Sequence, residues 1–173
     1  MASASTQTPK PHLATFADLL RIPEDRRRHE ILDGEIIEKA LPRLDHSVTQ
    51  SRSGQLLRNF NRTPNGASRP GGWWFATEPT IKLSRHVAVQ PDVAMSDGDA
   101  RRRDGLQKRR IYADHDVPFY WLIDTERETL TVLSLTEECY VEQLTACRTD
   151  RVRAAPFDAL ELQIGILFGD DED

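Results

Sequence analysis

Asp92 follows Pro91 in the run VAVQPDVAMS, and Lys108 lies on the charged segment RRRDGLQKRR that comes after it. A carboxylate on a strand and an ammonium nearby are groups that phosphodiester hydrolysis uses. The acid helps hold a divalent cation, and the amine orients a water or offsets charge developing at phosphorus. Alternation puts Val87, Val89, Val93 and Met95 on one face of the strand. It puts Ala88, Gln90, Asp92 and Ala94 on the other, so small residues leave room beside the carboxylate. Pro91 lacks a ladder donor, which predicts an edge strand or a bulge at that point. Taken alone, Pro-Asp is weak evidence, because aspartate follows proline in many turns for structural reasons. No apolar strand bearing a second carboxylate lies between Asp92 and Lys108.

Other residues admit a chemical and a structural reading. Arg101, Arg102, Arg103, Arg109 and Arg110 form a basic run around Lys108. They read either as a phosphate-contacting edge or as a solvated helix face. Asp97, Asp99 and Asp104 stand near Asp92 in sequence, but acids in a flexible turn must lose conformational freedom to hold a cation that needs several fixed oxygens. Trp73 and Trp74 could stack on bases, and packing is the favoured reading. Glu78 reads as a strand-end residue, Asp124 as the start of a turn, and Tyr112, Tyr120 and Trp121 as core. His12, His29, His86 and His115 lack zinc-ligand spacing. There is no glycine-rich phosphate loop and no GxSxG elbow.

The elements that must position these groups are partly legible. Thr15 caps a short helix, FADLLRI, with Asp18 three residues on, and Pro23 ends it. HEILDGEIIEKA is a hairpin turning on Asp33-Gly34. RLDHSVTQSRSGQLLRNF is a helix with Asp45 as N-cap, burying Val48, Leu56, Leu57 and Phe60 on one face, and Gly54 weakens its middle. GGWWFATEPTIKLS is a strand that pairs with VAVQPDVAMS across SRH. A helix entered at Asp104 follows. FYWLID, TLTVLSL and CYVEQLTA form strands of a meander, and RVRAAPFDALELQIGILF closes the domain with a short strand and a half-turn.

Length and composition bound the answer. The chain has 173 residues, 38% hydrophobic, and a formal charge of -5. That suits one domain with a buried core, expected over 14–169, between a disordered tail at 1–13 and an acidic solvated end at 170–173. The acidic balance excludes a globally basic nucleic-acid binder, so any such contact needs a local patch. Cys139 and Cys147 form no CxxC pair and read as two reduced thiols. With no signal peptide and no apolar run long enough to span a bilayer, a cytoplasmic location is expected and no membrane contact.

Several blocks occur in a telling order: HEILDGE, a helix carrying His46, VQPDVA, then RDGLQKRRIYADHDVPFYWLID, with PFDALEL late in the chain. This order resembles the Uma-type putative restriction endonuclease family of bacteria, a branch of the PD-(D/E)XK nuclease fold, from about Thr15 to Gly169. The resemblance implies an α+β domain: a restriction-endonuclease-like mixed sheet with an N-terminal hairpin and flanking helices. It also implies an endonuclease that acts on DNA with Mg²⁺ or Mn²⁺. Asp92 matches the metal-binding aspartate, Lys108 the lysine of the following helix, Glu30 an acidic position able to approach the site, and His46 a recurrent polar residue of the long helix. Family members insert a strand of type V-x-E-V-x-S before the lysine helix, and it supplies the second carboxylate. Here VAMSDGDA passes directly to RRRDGLQK, so one central strand and its acid are missing. The expectation is therefore an impaired endonuclease, its Mg²⁺ or Mn²⁺ held too weakly to act or not bound. The alternative is an inactive nuclease-fold remnant that binds nucleic acid or protein. A lost strand also exposes an edge, which predicts a homodimer or poor stability.

Overall fold

Asp33 and Gly34 turn the chain back on itself with φ of 51° and 86°. Such paired positive angles are what a two-residue hairpin demands, and Asp-Gly accepts them at little cost. In the computed structural model, which describes residues 12–41, 43–60, 76, 78–91, 101–137 and 139–171, this turn joins β1 (His29–Leu32) to β2 (Glu35–Glu38). Ile31 stands opposite Ile36 and Leu32 opposite Glu35. The hairpin belongs to a four-stranded antiparallel sheet with β3 (Ile81–Lys82) and β4 (Ala88–Val89), in the order β2-β1-β4-β3. Ile31 pairs with Ala88, and Ile81 pairs with Val89.

β4 is thus flanked on both sides, which corrects the expectation of an edge strand at Pro91. Pairing stops at Val89, before the proline, so no ladder donor is lost. Val87, Ala88 and Val89 are all buried, so both faces of this short strand are covered. Of the expected strand over GGWWFATEPTIKLS, β3 is what the structure describes; residues 61–75, with Trp73 and Trp74, lie outside the described residues. Residues 92–100 do so as well, and with them Asp92, Asp97 and Asp99.

By contacts the chain falls into two units, residues 1–39 with 80–90 and residues 40–79 with 91–173. The first unit is built on the four-stranded sheet. Its small core joins Ala14, Leu19, Ile31 and Ala88. Helix α1 (Phe16–Leu20) enters as expected: the Thr15 backbone N–H donates to Asp18 Oδ2 at 2.9 Å, and the Thr15 hydroxyl donates to the same oxygen at 2.7 Å. Gly34 fastens the N-terminal segment to the hairpin. Its carbonyl accepts the Ala14 N–H at 2.8 Å, and its N–H donates to the His86 carbonyl at 2.9 Å.

The second unit holds the meander β5 (Phe119–Asp124), β6 (Thr129–Thr136) and β7 (Cys139–Cys147), in that spatial order. A register shift between Val132 and Leu133 bulges the β6–β7 pair. Asp124 does start the β5–β6 turn, its Oδ1 accepting the N–H groups of Glu126 and Arg127, each at 3.0 Å. Two short strands, β8 (Arg151–Val152) and β9 (Leu162–Gln163), then lead to a 3₁₀ turn over Ile164–Phe168. The core gathers Leu56, Leu57, Phe60, Trp121, Leu130, Phe157 and Ile164 among others. Trp121 donates its indole N–H to the Ala155 carbonyl at 2.8 Å, which lets the ring bury without an orphan donor.

Helix α2 (Leu44–Leu56) differs from expectation in two ways. Its N-cap is Arg43, and Asp45 sits inside the first turn. Its buried face is Thr49, Ser53 and Leu56, while Leu44 and Val48 are exposed. Small polar residues let α2 pack close to the 3₁₀ turn. The Ser53 hydroxyl is satisfied by the Thr49 carbonyl at 2.8 Å, so its burial costs little. Helix α3 runs Arg101–Ala113, three residues earlier than the entry expected at Asp104. Asp170 pairs with the Arg148 guanidinium, which also pairs with Glu128. The α+β class holds, and every strand pairing among the described residues is antiparallel.

Candidate acid site

Glu30 is 3% exposed, unusual for a carboxylate without a committed partner. Its place follows from the hairpin. With Ile31 opposite Ala88, continuing the antiparallel register puts Glu30 opposite Val89, one residue short of Gln90. Its Oε1 accepts the Gln90 backbone N–H at 2.7 Å. A carboxylate receiving an amide N–H at this distance makes a short, charge-assisted bond. The acid is therefore fixed against the residue that precedes Pro91-Asp92 in the sequence.

Lys39 reaches the next peptide group of the same residue. Its Nζ donates to the Gln90 carbonyl at 3.2 Å, and its own backbone N–H extends the hairpin ladder to the Arg28 carbonyl at 2.7 Å. Sequence reasoning passed over Lys39. The signal was available: Glu30 faces Ile37 across the hairpin, and Lys39, two residues on, shares that face by alternation.

Lys108 and Arg109 are half-buried on α3 and Arg110 is exposed. Arg110 lies 3.4 Å from Asp114, an i,i+4 pair. With Ala113, Cys139 and Tyr140, residues Arg109, Arg110 and Asp114 line an open cleft between α3 and β7. Burial pushes the Tyr140 hydroxyl up to about 12, and it donates to the Val117 carbonyl at 2.6 Å. Arg101, Arg102 and Arg103 lie on the first turn of α3, where the backbone alone is described. His46 is half-buried on α2. Tyr112 and Trp121 are buried and Tyr120 half-buried, as expected of core; the Tyr112 and Tyr120 rings lie 5.1 Å apart. Glu78 takes a positive φ of 48° just before Pro79. Cys139 and Cys147 are free and exposed.

The donor chemistry suits a hard divalent cation, since oxygen acids are what Mg²⁺ and Mn²⁺ take. Among the described residues no group of three His, Cys, Asp or Glu side chains converges on one point. Of the two proposed site acids, Glu30 is the one whose placement is described; Asp92 lies outside the described residues. Among those residues, too, no helix is long and apolar enough to cross a membrane.

The sequence model of a family described as Uma2, putative restriction endonuclease, matches residues 16–107 and, in a second stretch, residues 96–165. No curated protein matches. A crystal structure of a putative nuclease belonging to DUF820, from Anabaena variabilis, is similar at 18% identity and a TM-score of 0.49, covering 89% of this chain and 97% of that one.

Proposed function

The chain belongs to the Uma2 putative restriction endonuclease family, and from that premise we propose that it descends from a metal-dependent DNA endonuclease and keeps a reduced form of its acid site. Glu30 and Asp92 are the residues that would hold Mg²⁺ or Mn²⁺. A bound cation would supply Lewis-acid polarisation of the phosphate and a more acidic water. The chain's own groups do the positioning. Glu30, buried and tied to the Gln90 N–H, is oriented before any substrate arrives, which lowers the entropy cost of assembling the site. Lys108 offsets charge on the phosphate or orients the attacking water. Arg101, Arg102, Arg103, Arg109 and Arg110 contact the DNA backbone, an electrostatic role independent of sequence. The observation that carries the reading is the 2.7 Å bond from Gln90 to Glu30, because it sets one acid beside the strand that leads to the other. The test is nicking of supercoiled plasmid in Mg²⁺ or Mn²⁺. Wild type nicks slowly and Asp92→Ala does not; equal rates in the two proteins would reject the reading.

A second reading, an inactive remnant that binds nucleic acid or protein, has its own support. The two stretches matched by the family overlap at 96–107. A chain lacking part of a family's pattern is matched in pieces that meet at the gap. The overlap falls between the VQPD run and Lys108, where the sequence carries no V-x-E-V-x-S segment. Under this reading wild type and Asp92→Ala are equally silent in the nicking assay, while both still bind duplex DNA or a protein partner. Self-association into a homodimer accompanies either reading, since an α+β fold short of one strand leaves an edge to pair. Sedimentation showing a monomer at micromolar concentration would remove that part.

A further inference from the structure

Within the second unit, α3 and β7 pack together and leave an open cleft of about 260 Å³ between them. Its walls are Arg109, Arg110, Ala113 and Asp114 from the helix, and Cys139 and Tyr140 from the strand. Helical spacing builds the first wall, because residues four apart share a face: Arg109 with Ala113, Arg110 with Asp114. The strand side is stiff. Tyr140 is buried, and its hydroxyl donates to the Val117 carbonyl at 2.6 Å. Its ring lies 5.9 Å from that of Tyr120, which stands 5.1 Å from Tyr112 on α3. The charges are uneven. Arg110 is offset by Asp114 at 3.4 Å, in a pair exposed to solvent. Arg109 is half-buried and has no ion pair among the described residues. Burial raises the Tyr140 hydroxyl to about 12 and Arg109 opposes that rise, so the guanidinium stands close to the phenol. Two cations against one carboxylate leave a net positive charge in a hollow, which concentrates anions.

We propose that this cleft binds a phosphate monoester, the terminal phosphate of a nucleic-acid strand, between the guanidiniums of Arg109 and Arg110. A monoester carries about 1.5 to 2 negative charges near neutrality and presents three unesterified oxygens. An internal diester carries a single charge on two such oxygens. The monoester is therefore the better match for two neighbouring guanidinium forks, each of which bonds oxygens in pairs. Asp114 sets a threshold: an occupant must compete with it for Arg110, which disfavours singly charged anions. A cleft of this size admits a phosphate and its sugar, not a duplex. Such ends are what phosphodiester hydrolysis makes. Attack of water at phosphorus breaks one P–O bond and leaves a phosphate monoester on one end and a hydroxyl on the other. The strand-end source thus rests on the nuclease-family reading, while the phosphate site rests on the cleft alone. It narrows the role of these two arginines from general backbone contact to holding one end.

The experiment uses the full chain carrying Cys147→Ser, which leaves Cys139, at the cleft, as its one thiol. The first readout is the rate at which Cys139 reacts with uncharged dithiodipyridine. At constant ionic strength inorganic phosphate slows the reaction saturably, by about threefold or more, and acetate does not. Adding Arg109→Gln removes the effect of phosphate. The second readout is fluorescence anisotropy of a short labelled single strand bearing a 5′-phosphate, a 3′-phosphate or hydroxyls at both ends. One phosphorylated strand binds about fivefold tighter than the hydroxyl-ended strand, and the difference vanishes with Arg109→Gln. Thermal melting checks the fold, and Arg110→Gln replaces Arg109→Gln if that variant does not fold. A thiol rate unchanged by phosphate, or protection that persists in the glutamine variant, overturns the site. Protection with no preference for a phosphorylated end assigns the cleft to free phosphate and overturns the strand-end source. Neither readout needs cleavage, so failure of the nicking assay would sink the nuclease reading and leave this test standing.

Discussion

Glu30 Oε1 accepts the backbone N–H of Gln90 at 2.7 Å across sixty positions of sequence. The bond joins the first strand of the hairpin to the segment carrying Pro91-Asp92. One carboxylate is thus already brought to the end of this strand.

Gly34 is predicted to resist substitution. A Cβ there would lie 2.8 Å from Leu13 Cδ2 and 2.9 Å from Leu13 Cβ, and the residue has φ of 86°. Gly34→Ala therefore combines a steric clash with left-handed strain and is expected to cost about 1–2 kcal/mol. Chemical denaturation reads this as a lower midpoint with an unchanged slope. An unaltered midpoint would mean that Leu13 moves aside and the turn relaxes without penalty.

Gly54 should behave in the opposite sense. It lies inside α2, and a Cβ there meets nothing within 4 Å. Gly54→Ala keeps the helical angles, narrows the unfolded ensemble, and is expected to stabilise by about 0.5–1 kcal/mol. A melting scan would show a rise of about 1–4 °C for a chain of this size. A fall would place α2 under a constraint that the structure does not display.

Acid should loosen the C-terminal end. Hydrogen bonding from Arg148 holds the Asp170 carboxyl below its ordinary range. A depressed folded-state pKa contributes stability above the unfolded value near pH 4, and that contribution is lost as pH falls through the folded value. Asp170→Asn is expected to flatten this part of the stability-pH profile below about pH 4 while changing little of its shape near neutrality. Gly165→Ala tests the same contact differently, because its Cβ would land on the Asp170 carboxylate. If the acid limbs of wild type and Asp170→Asn superimpose, the Arg148 pair is energetically idle.

Local signals carried much of the fold. Asp33-Gly34 announced its hairpin through the angles that only such a pair accepts cheaply, and Thr15 with Asp18 announced α1 through reciprocal bonding. FYWLID and the two strands after it were legible from β-branched and aromatic runs between turn residues. The buried face of α2 was not. Packing against the 3₁₀ turn selected small Thr49 and Ser53 over the more apolar Val48, a tertiary choice that periodicity does not encode. Pro91 misled for a related reason: a proline was read as marking an edge, but the strand simply ends before it. Glu30 entered as a candidate by resemblance, and its contact with Gln90 required the β1–β4 register, which no local pattern fixes. Lys39 was passed over because a lysine at a hairpin end ordinarily reaches solvent, although alternation from Ile37 put it on the face of Glu30.

The central claim is that Glu30 serves as the companion acid to Asp92, and Mn²⁺ affinity in wild type, Glu30→Gln and Asp92→Ala tests it most directly. Glutamine keeps an oxygen for the Gln90 N–H and removes only the charge, so the fold survives. The account predicts that each substitution weakens Mn²⁺ binding by at least about tenfold, or about 1.4 kcal/mol. Binding by Glu30→Gln that matches wild type, with Asp92→Ala impaired, would contradict it.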